Sequence, residues 1–367
     1  MAKKALQLGL IGIGKAGQRH LAALKSIKEA GLLDIEINAI CDTDETRLKL
    51  TAAEYSIPAF YSNPTSLIDD ENVDIVYVCT PGDMHANLVK EVALTGKAVY
   101  CEEPLARSCP QAREMNAVAL DSAVPTSAGM MLRYDPFFVY AKQLLGRYDF
   151  GKPLLAHIRE DQQFPLDQES FEQERDEDSI PGGGILLHQS IQDIDVLTMF
   201  FGDVATVYAQ VGYLGGYEIE DQVSIIMRHN DGTTSTLDSL WHHLDRPDER
   251  KVEFFFENGF IGITLESGSS HLDYHLRGEG PVRVHHQSAE AALLDQLELS
   301  SNNLAFGIQE SISNSGINKQ LALSYSFLKA VHSGSTPSPS FMDALSAHRI
   351  VDAAYESSNN KTPIDIL

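Results

Sequence analysis

Leu6-Gln7-Leu8-Gly9-Leu10-Ile11-Gly12-Ile13-Gly14-Lys15-Ala16-Gly17 is an apolar strand pattern that runs into a GxGxxG turn. The spacing predicts a strand, a tight turn and a helix, the arrangement by which a chain cradles a dinucleotide. Gly12 permits the sharp turn. Gly14 lets a pyrophosphate approach the backbone, and Gly17 lets the helix lie close to the strand. The unpaired N–H groups and positive dipole end of that helix, which starts around Lys15 and Ala16, face the phosphates.

Outward from this turn, a second apolar run, Ile35 to Cys41, ends in Asp42. An acid at that strand tip accepts hydrogen bonds from ribose hydroxyls and repels a 2′-phosphate, so NAD(H) is expected over NADP(H). Arg47 follows closely and is grouped with the cofactor-binding residues. Further apolar runs, Ile75–Cys79, Ala98–Cys101 and Pro125–Met131, alternate with helix-like stretches. Alternation of this kind argues for βαβ units and a doubly wound parallel sheet of the Rossmann type. Thr80-Pro81, with His85 just beyond, and Glu102-Glu103-Pro104 fall at strand ends, on the carboxyl edge where ligands bind in open α/β folds. Thr80, Pro81, His85 and Glu102 are therefore expected at the cofactor. A local hydrogen bond at a helix start is the alternative for His85.

From about residue 151 strands dominate, with hairpin signals at Asn230-Asp231-Gly232 and Glu257-Asn258-Gly259. The last stretch, Leu321 to Ser358, reads as helices. The expected architecture is α/β: an N-terminal Rossmann domain over 1–128, and over 129–367 an α+β domain with a large open mixed or antiparallel sheet.

The 367 residues are enough for about two domains. Acids outnumber bases 52 to 28, a formal charge of −24. Such a surface repels nucleic acid and anionic membranes, and neither is expected as a partner. No apolar run reaches the ~18 residues of a membrane span. The four cysteines, Cys41, Cys79, Cys101 and Cys109, lack zinc-finger spacing and read as buried thiols of a reducing cytoplasm. No metal site is expected, and the start of the chain leaves no room for a signal peptide ahead of the first strand. Residues 160–178 carry nine acids and one base, Arg175, and read as a solvated loop or helix, with a mobile lid as the alternative.

The segment Gly182-Gly183-Gly184-Ile185-Leu186-Leu187-His188-Gln189-Ser190-Ile191-Gln192-Asp193-Ile194-Asp195 reads as glycines followed by a helix. Positions i, i+4 and i+7 share a helix face, so His188, Gln192 and Asp195 line up between apolar walls. A buried polar stripe is costly unless paired or lining a pocket. Both readings stand, and the glycines favour a pocket.

These segments together resemble the glucose–fructose oxidoreductase / inositol dehydrogenase / rhizopine-catabolism (Gfo/Idh/MocA) family. The resemblance is carried by LGLIGIGKAGQRH, CDTDETR, VDIVYVCTPGDMHANLVKEVALTGKAVYCEEPLA, GMMLRYDPFF, GGGILLHQSIQDID and SFMDALSAHRIVDAAYESS, over nearly the whole chain. It implies a nicotinamide-binding Rossmann domain, a C-terminal substrate-binding domain, and reversible hydride transfer at a hydroxyl of a sugar, cyclitol or related polyol. It also implies a homodimer or homotetramer formed through the outer face of the C-terminal sheet. Tyr134 matches a family segment close to the substrate; Arg133 beside it is expected either to contact the substrate or to pair with the acidic stretch.

The chain departs from the family pattern where that pattern carries the chemistry. Glu103 stands where the family has lysine beside the nicotinamide. His188 and Gln192 stand where it has an aspartate and, four residues on, an acid/base histidine. Asp195 matches a commonly acidic position. Oxidation of a carbinol needs a group that takes the hydroxyl proton. Gln192 cannot titrate and only orients a substrate. His188, with an ordinary pKa of about 6.5, is the best remaining acceptor. Glu103, if ionised, suits a cationic or amino-sugar substrate and opposes an alkoxide; if neutralised by burial it donates a hydrogen bond or acts as base. His242 and His243, after Trp241 at a strand end, are further substrate-side candidates. Two other functions stay open. One is an NAD-dependent glycosidase that oxidises, eliminates and returns the hydride. The other is a catalytically inactive NAD-binding sensor or partner protein.

Overall fold

The computed structural model describes residues 5–164, 183–216, 218–299 and 317–366. The chain divides into two compact units, Met1–Tyr134 with Leu294–Leu345, and Asp135–Leu293 with Ser346–Leu367.

In the first unit six parallel strands, β1 (Leu6–Ile11), β2 (Ile35–Cys41), β3 (Ala59–Tyr61), β4 (Ile75–Val78), β5 (Ala98–Cys101) and β6 (Thr126–Ala128), form one sheet. The order is β3-β2-β1-β4-β5-β6, so β2 and β3 are added on one side of β1 and β4 to β6 on the other. That switch point is where open α/β sheets take ligands, and β1 leads straight into Gly12. Every residue of β4 and β5 is buried, as strands covered on both faces require. Helix α1 (Lys15–Glu29) buries Leu21, Leu24 and Ile27. Each such side chain, taken fully out of water, contributes about 1.5–3 kcal/mol before conformational entropy is subtracted. Helix α2 (Glu45–Tyr55) is capped by Asp44, whose carboxylate accepts from the backbone N–H of Thr46 and Arg47.

The structure departs from the sequence pattern in three places. The apolar run Pro125–Met131 yields only the short β6, and Met131–Tyr134 form a 3-10 turn instead. Strand β3, three residues long, is too short to show as an apolar run. The sequence suggests a single boundary near 128. In the structure the helix Ile317–Ser333 belongs to the first unit, where Gln320 and Ser324 approach His20 of α1. A polar pair reached from this far along the chain has no local sequence signature.

The second unit is built on a nine-stranded mixed sheet. Its strands are β7 (Pro153–Gln163), β8 (Val204–Gly212), β9 (Gln222–His229), β10 (Thr234–His242), β11 (Glu249–Phe256), β12 (Gly259–Glu266), β13 (His271–Leu276), β14 (Val282–Val284) and β15 (Ile364–Asp365). They lie in the order β14-β13-β12-β11-β7-β10-β9-β8-β15. Both expected hairpins form, β9 with β10 and β11 with β12. The pair β7–β10 is parallel, which makes the sheet mixed. Burial alternates along β9 and β11, so one face carries the core and the other faces outward. On the core face Phe254 packs with Phe200 and Phe201, and Phe200 also meets Phe138.

Candidate active site

The nucleotide turn matches its sequence pattern atom by atom. Gly12 has φ +87°, and a Cβ there would meet the Cys79 carbonyl carbon at 2.7 Å. A Cβ on Gly17 would lie 2.1 Å from the Gly12 oxygen. A Cβ on Gly14 would meet nothing within 4 Å. Two of these glycines let main chain touch main chain, and the third leaves open space at the start of α1, as a pyrophosphate requires. Asp42 is drawn into the turn: its Oδ2 accepts from Ile13 N at 2.8 Å, its Oδ1 from Asp44 N at 2.9 Å. Arg47 reaches Asp42 at 3.2 Å and Asp44 at 3.3 Å. A cavity of about 290 Å³ is lined by Gly12, Gly14, Asp42, Arg47, Thr80 and Pro81, six of the residues expected at the cofactor. Lys15 is exposed on the first turn of α1, and Ala16 is half-buried beside it.

His85 and Glu102 are turned inward. Both ring nitrogens of His85 lie against backbone carbonyls, Nδ1 3.0 Å from Pro104 O and Nε2 2.8 Å from Thr80 O. This buried ring ties the Thr80-Pro81 turn to the Glu103-Pro104 turn and has no nitrogen left for a cofactor. Glu102 is also buried, and its Oε1 lies 2.7 Å from His20 Nε2. Burial pushes its carboxyl upward, but the His20 hydrogen bond and charge, with Arg19 and the Glu103 N–H, outweigh burial and hold it below the usual carboxylate range. Both residues therefore brace the segment that presents Glu103, which is half-buried at the end of β5. The Tyr134 hydroxyl donates to Ser338 O at 2.8 Å and lies 2.5 Å from Ser326 Oγ. Arg133 pairs with Asp343 at 3.1 Å. These two side chains anchor their own segment within the first unit.

In the second unit the predicted helix is present with a different beginning. Leu186–Ser190 form a π turn, followed by the α-helix Ile191–Phe201, here α3. π turns cluster at functional sites because they widen the backbone and re-aim side chains. Gln192 and Asp195 are buried, His188 half-buried. Burial does not single out their face, however. Gln189, Ser190 and Asp193 are buried as well, so the segment is enclosed all round.

What encloses it is polar. Trp241 Nε1 donates to Gln189 Oε1 at 2.6 Å, and Gln162 Nε2 donates to the same oxygen. Gln189 Nε2 donates to Glu160 Oε1. Arg250 holds Asp193 through two contacts, Nε to Oδ1 at 2.7 Å and Nη2 to Oδ2 at 3.1 Å, and lies 3.7 Å from Glu160. Burial, reinforced by Asp193, Asp161 and Asp248 against the pull of Arg250, pushes the Glu160 carboxyl up to about 8. The His188 ring meets Trp241 edge-on at 6.2 Å. Among the described residues its Nδ1 is buried without a hydrogen-bond partner, and burial lowers the imidazole pKa, so the ring is neutral near pH 7.

Three sequence expectations change here. His242 is buried beside Asp161 at 3.5 Å, not beside His188. Successive strand residues point to opposite faces, so Trp241 stands on the His188 side of β10 and His242 on the other. His243 is exposed and stacks on Phe164. Glu160 and Asp161 belong to no solvated loop: they are buried near the end of β7. The rest of the acidic stretch, 165–178, and Gly182 lie outside the described residues. The sequence reading missed Trp241, Gln189, Glu160 and the Asp193–Arg250 pair. Trp241, the sole tryptophan, was the available signal.

Comparison with known proteins agrees with this construction. Residues 6–129 match the model of an oxidoreductase family with an NAD-binding Rossmann fold, and residues 138–262 match the GFO/IDH/MocA C-terminal domain. The chain belongs to the Gfo/Idh/MocA family. As a member it is an oxidoreductase whose cofactor is NAD. Its relatives include myo-inositol 2-dehydrogenase of Thermotoga maritima, 29% identical over 70% of this chain and 74% of that one. D-apiose dehydrogenase of Rhizobium rhizogenes is 27% identical over 98% of this chain and 97% of its own. Levoglucosan dehydrogenase in complex with NADH and levoglucosan superposes with a TM-score of 0.85 at 22% identity, over 99% of this chain and all of that one, a likeness of fold. Among the described residues no helix is long and apolar enough to cross a membrane, and no group of three or more His, Cys, Asp or Glu is placed to hold a metal.

Proposed function

We propose that this Gfo/Idh/MocA oxidoreductase transfers a hydride between NAD and a hydroxyl-bearing carbon of a sugar, cyclitol, amino sugar or related polyol, with His188 as proton acceptor. The observation that carries this is the imidazole itself: half-buried, held neutral by burial, and set on a π turn against Trp241. A neutral imidazole accepts a hydroxyl proton. Gln192 orients the substrate through its amide, with Asp195 behind it on the same helix. Glu103 recognises the substrate from the strand end where the family resemblance implies a lysine. The cavity at Gly14, Asp42 and Arg47 fits an adenosine diphosphate, and bound NAD supplies the hydride acceptor.

The outward sheet face exposes Leu155, Tyr208, Ile226, Leu240 and Phe255, which share one side by register. This is the surface through which a homodimer or homotetramer forms, and sedimentation measures it. The four buried free thiols suit the cytoplasm.

A panel of sugars, cyclitols and amino sugars, followed by NADH absorbance, tests the activity. Turnover with one of them, reduced about 100-fold or more by His188→Ala, is the expected result. Glu103→Lys raises or creates activity toward neutral polyols. Tight NAD binding with no turnover of any substrate refutes the proposal. Release of nitrophenol from a nitrophenyl glycoside without net NADH replaces it with the glycosidase reading.

A further inference from the structure

The turn that carries His188 is held from outside itself. A helix start leaves its first N–H groups without partners, and a side chain at the N-cap ordinarily satisfies one of them. Ile185, at that position, has no such side chain. Glu220, just ahead of β9, does the work twice. Its backbone oxygen accepts from Ile185 N at 2.9 Å, and its Oε1 accepts from Leu186 N at 3.3 Å. The Tyr355 hydroxyl, from the helix Phe341–Asn360, donates to the same Oε1 and fixes the carboxylate from behind.

The fit is close. A Cβ on Gly184 would lie 2.3 Å from the Glu220 carboxyl carbon, its Oε2 and its backbone oxygen. Gly184 O in turn accepts from His188 N at 2.9 Å. Glu220 is itself buried. A chain of direct contacts thus runs from Tyr355 through Glu220 to the two N–H groups that open the π turn and to the glycine whose carbonyl holds His188.

We propose that Glu220, seated by Tyr355, is a positioning residue that sets the turn on which the His188 imidazole stands. This rests on reading His188 as the proton acceptor, so the test separates the two. Glu220→Ala, in the full chain, is compared with wild type by NMR titration of the His188 ring, by kcat, and by calorimetric NAD affinity. Positioning predicts that the loosened turn hydrates the ring and that its titration midpoint rises toward that of a free histidine. It also predicts that kcat falls about 100-fold, as expected for an angstrom-scale displacement of a reacting group. NAD affinity stays at the wild-type value. An unchanged His188 titration in a folded Glu220→Ala protein overturns the proposal.

If Glu220→Ala does not fold, Glu220→Gln replaces it. The amide keeps the size and one acceptor, and a smaller shift in the same direction is expected; a wild-type titration overturns the proposal here too. Tyr355→Phe shifts the midpoint by less than Glu220→Ala, and a shift as large or larger overturns the seating role. Loss of activity in Glu220→Ala together with full activity in His188→Ala sinks the proton-acceptor reading instead, while the titration shift still speaks for the positioning.

Discussion

In the first unit the phosphate turn is made of main chain. Gly12 and Gly17 are where backbone meets backbone, and Gly14 opens onto the cavity. In the second unit the turn at His188 is made by side chains that arrive from elsewhere: Glu220 ahead of β9, Trp241 from β10, Glu160 from β7 and Arg250 from β11. The difference teaches where tolerance lies. A site built of main chain depends on the absence of side chains at three fixed spacings. A site built of converging side chains depends on partners matching in charge and protonation, and its residues can be exchanged as a set. The GxGxxG turn is intact here, and the family resemblance implies that Glu103, His188 and Gln192 stand where its pattern has lysine, aspartate and histidine.

This contrast can be broken at several points. The largest effect is expected at the Arg250–Asp193 pair. Arg250→Met leaves the Asp193 carboxylate buried without its guanidinium and lowers unfolding stability by about 3–5 kcal/mol, read by urea denaturation. Replacing both residues with apolar ones of similar volume recovers much of that loss. If the single and double variants lose the same amount, the charges are not matched as a set.

A smaller effect separates two glycines of the same motif. Gly17→Ala forces a Cβ against the Gly12 oxygen and costs about 1–3 kcal/mol of stability. Gly14→Ala, with open space around it, keeps the melting temperature of wild type and weakens NAD binding. The reverse pattern would undo the assignment of packing to one and approach to the other.

A pH dependence tests the side-chain cluster by a different readout. Glu160 binds its proton more tightly in the folded chain, where its carboxyl is pushed up to about 8, than in the unfolded chain, where it titrates near 4.5. The folded state therefore holds more protons over that window, and stability falls as pH rises through it, levelling off above about 8. Glu160→Gln removes this contribution, so its melting temperature declines less between pH 5 and 8 than that of wild type. Equal slopes would show that Glu160 is ionised throughout.

Much of the first unit was legible because its signals are local. The strand bounds of β2 and β5 coincide with their apolar runs, and GxGxxG with Asp42 marks one cavity. The hairpin turns of the second unit were legible for the same reason. The polar surroundings of His188 were not. A carboxylate at 160 looks like part of an acidic stretch until β7 places it against Gln189 of the π turn, and only the parity of β10 decides that Trp241, and not His242, faces the imidazole. Glu102 and His85 sit at strand ends where ligands gather, yet their hydrogen bonds go to His20 and to two carbonyls, partners that no spacing rule announces.

The amide of Gln189 has one further consequence. Because its oxygen already receives hydrogens from both Trp241 and Gln162, the group cannot flip, and its NH2 end must point at Glu160 Oε1. That oxygen is thereby reserved as a recipient. Whenever Glu160 carries its hydrogen, the atom resides on Oε2, so an indole ring on a neighbouring strand dictates which half of a distant acid is hydroxyl and which is carbonyl.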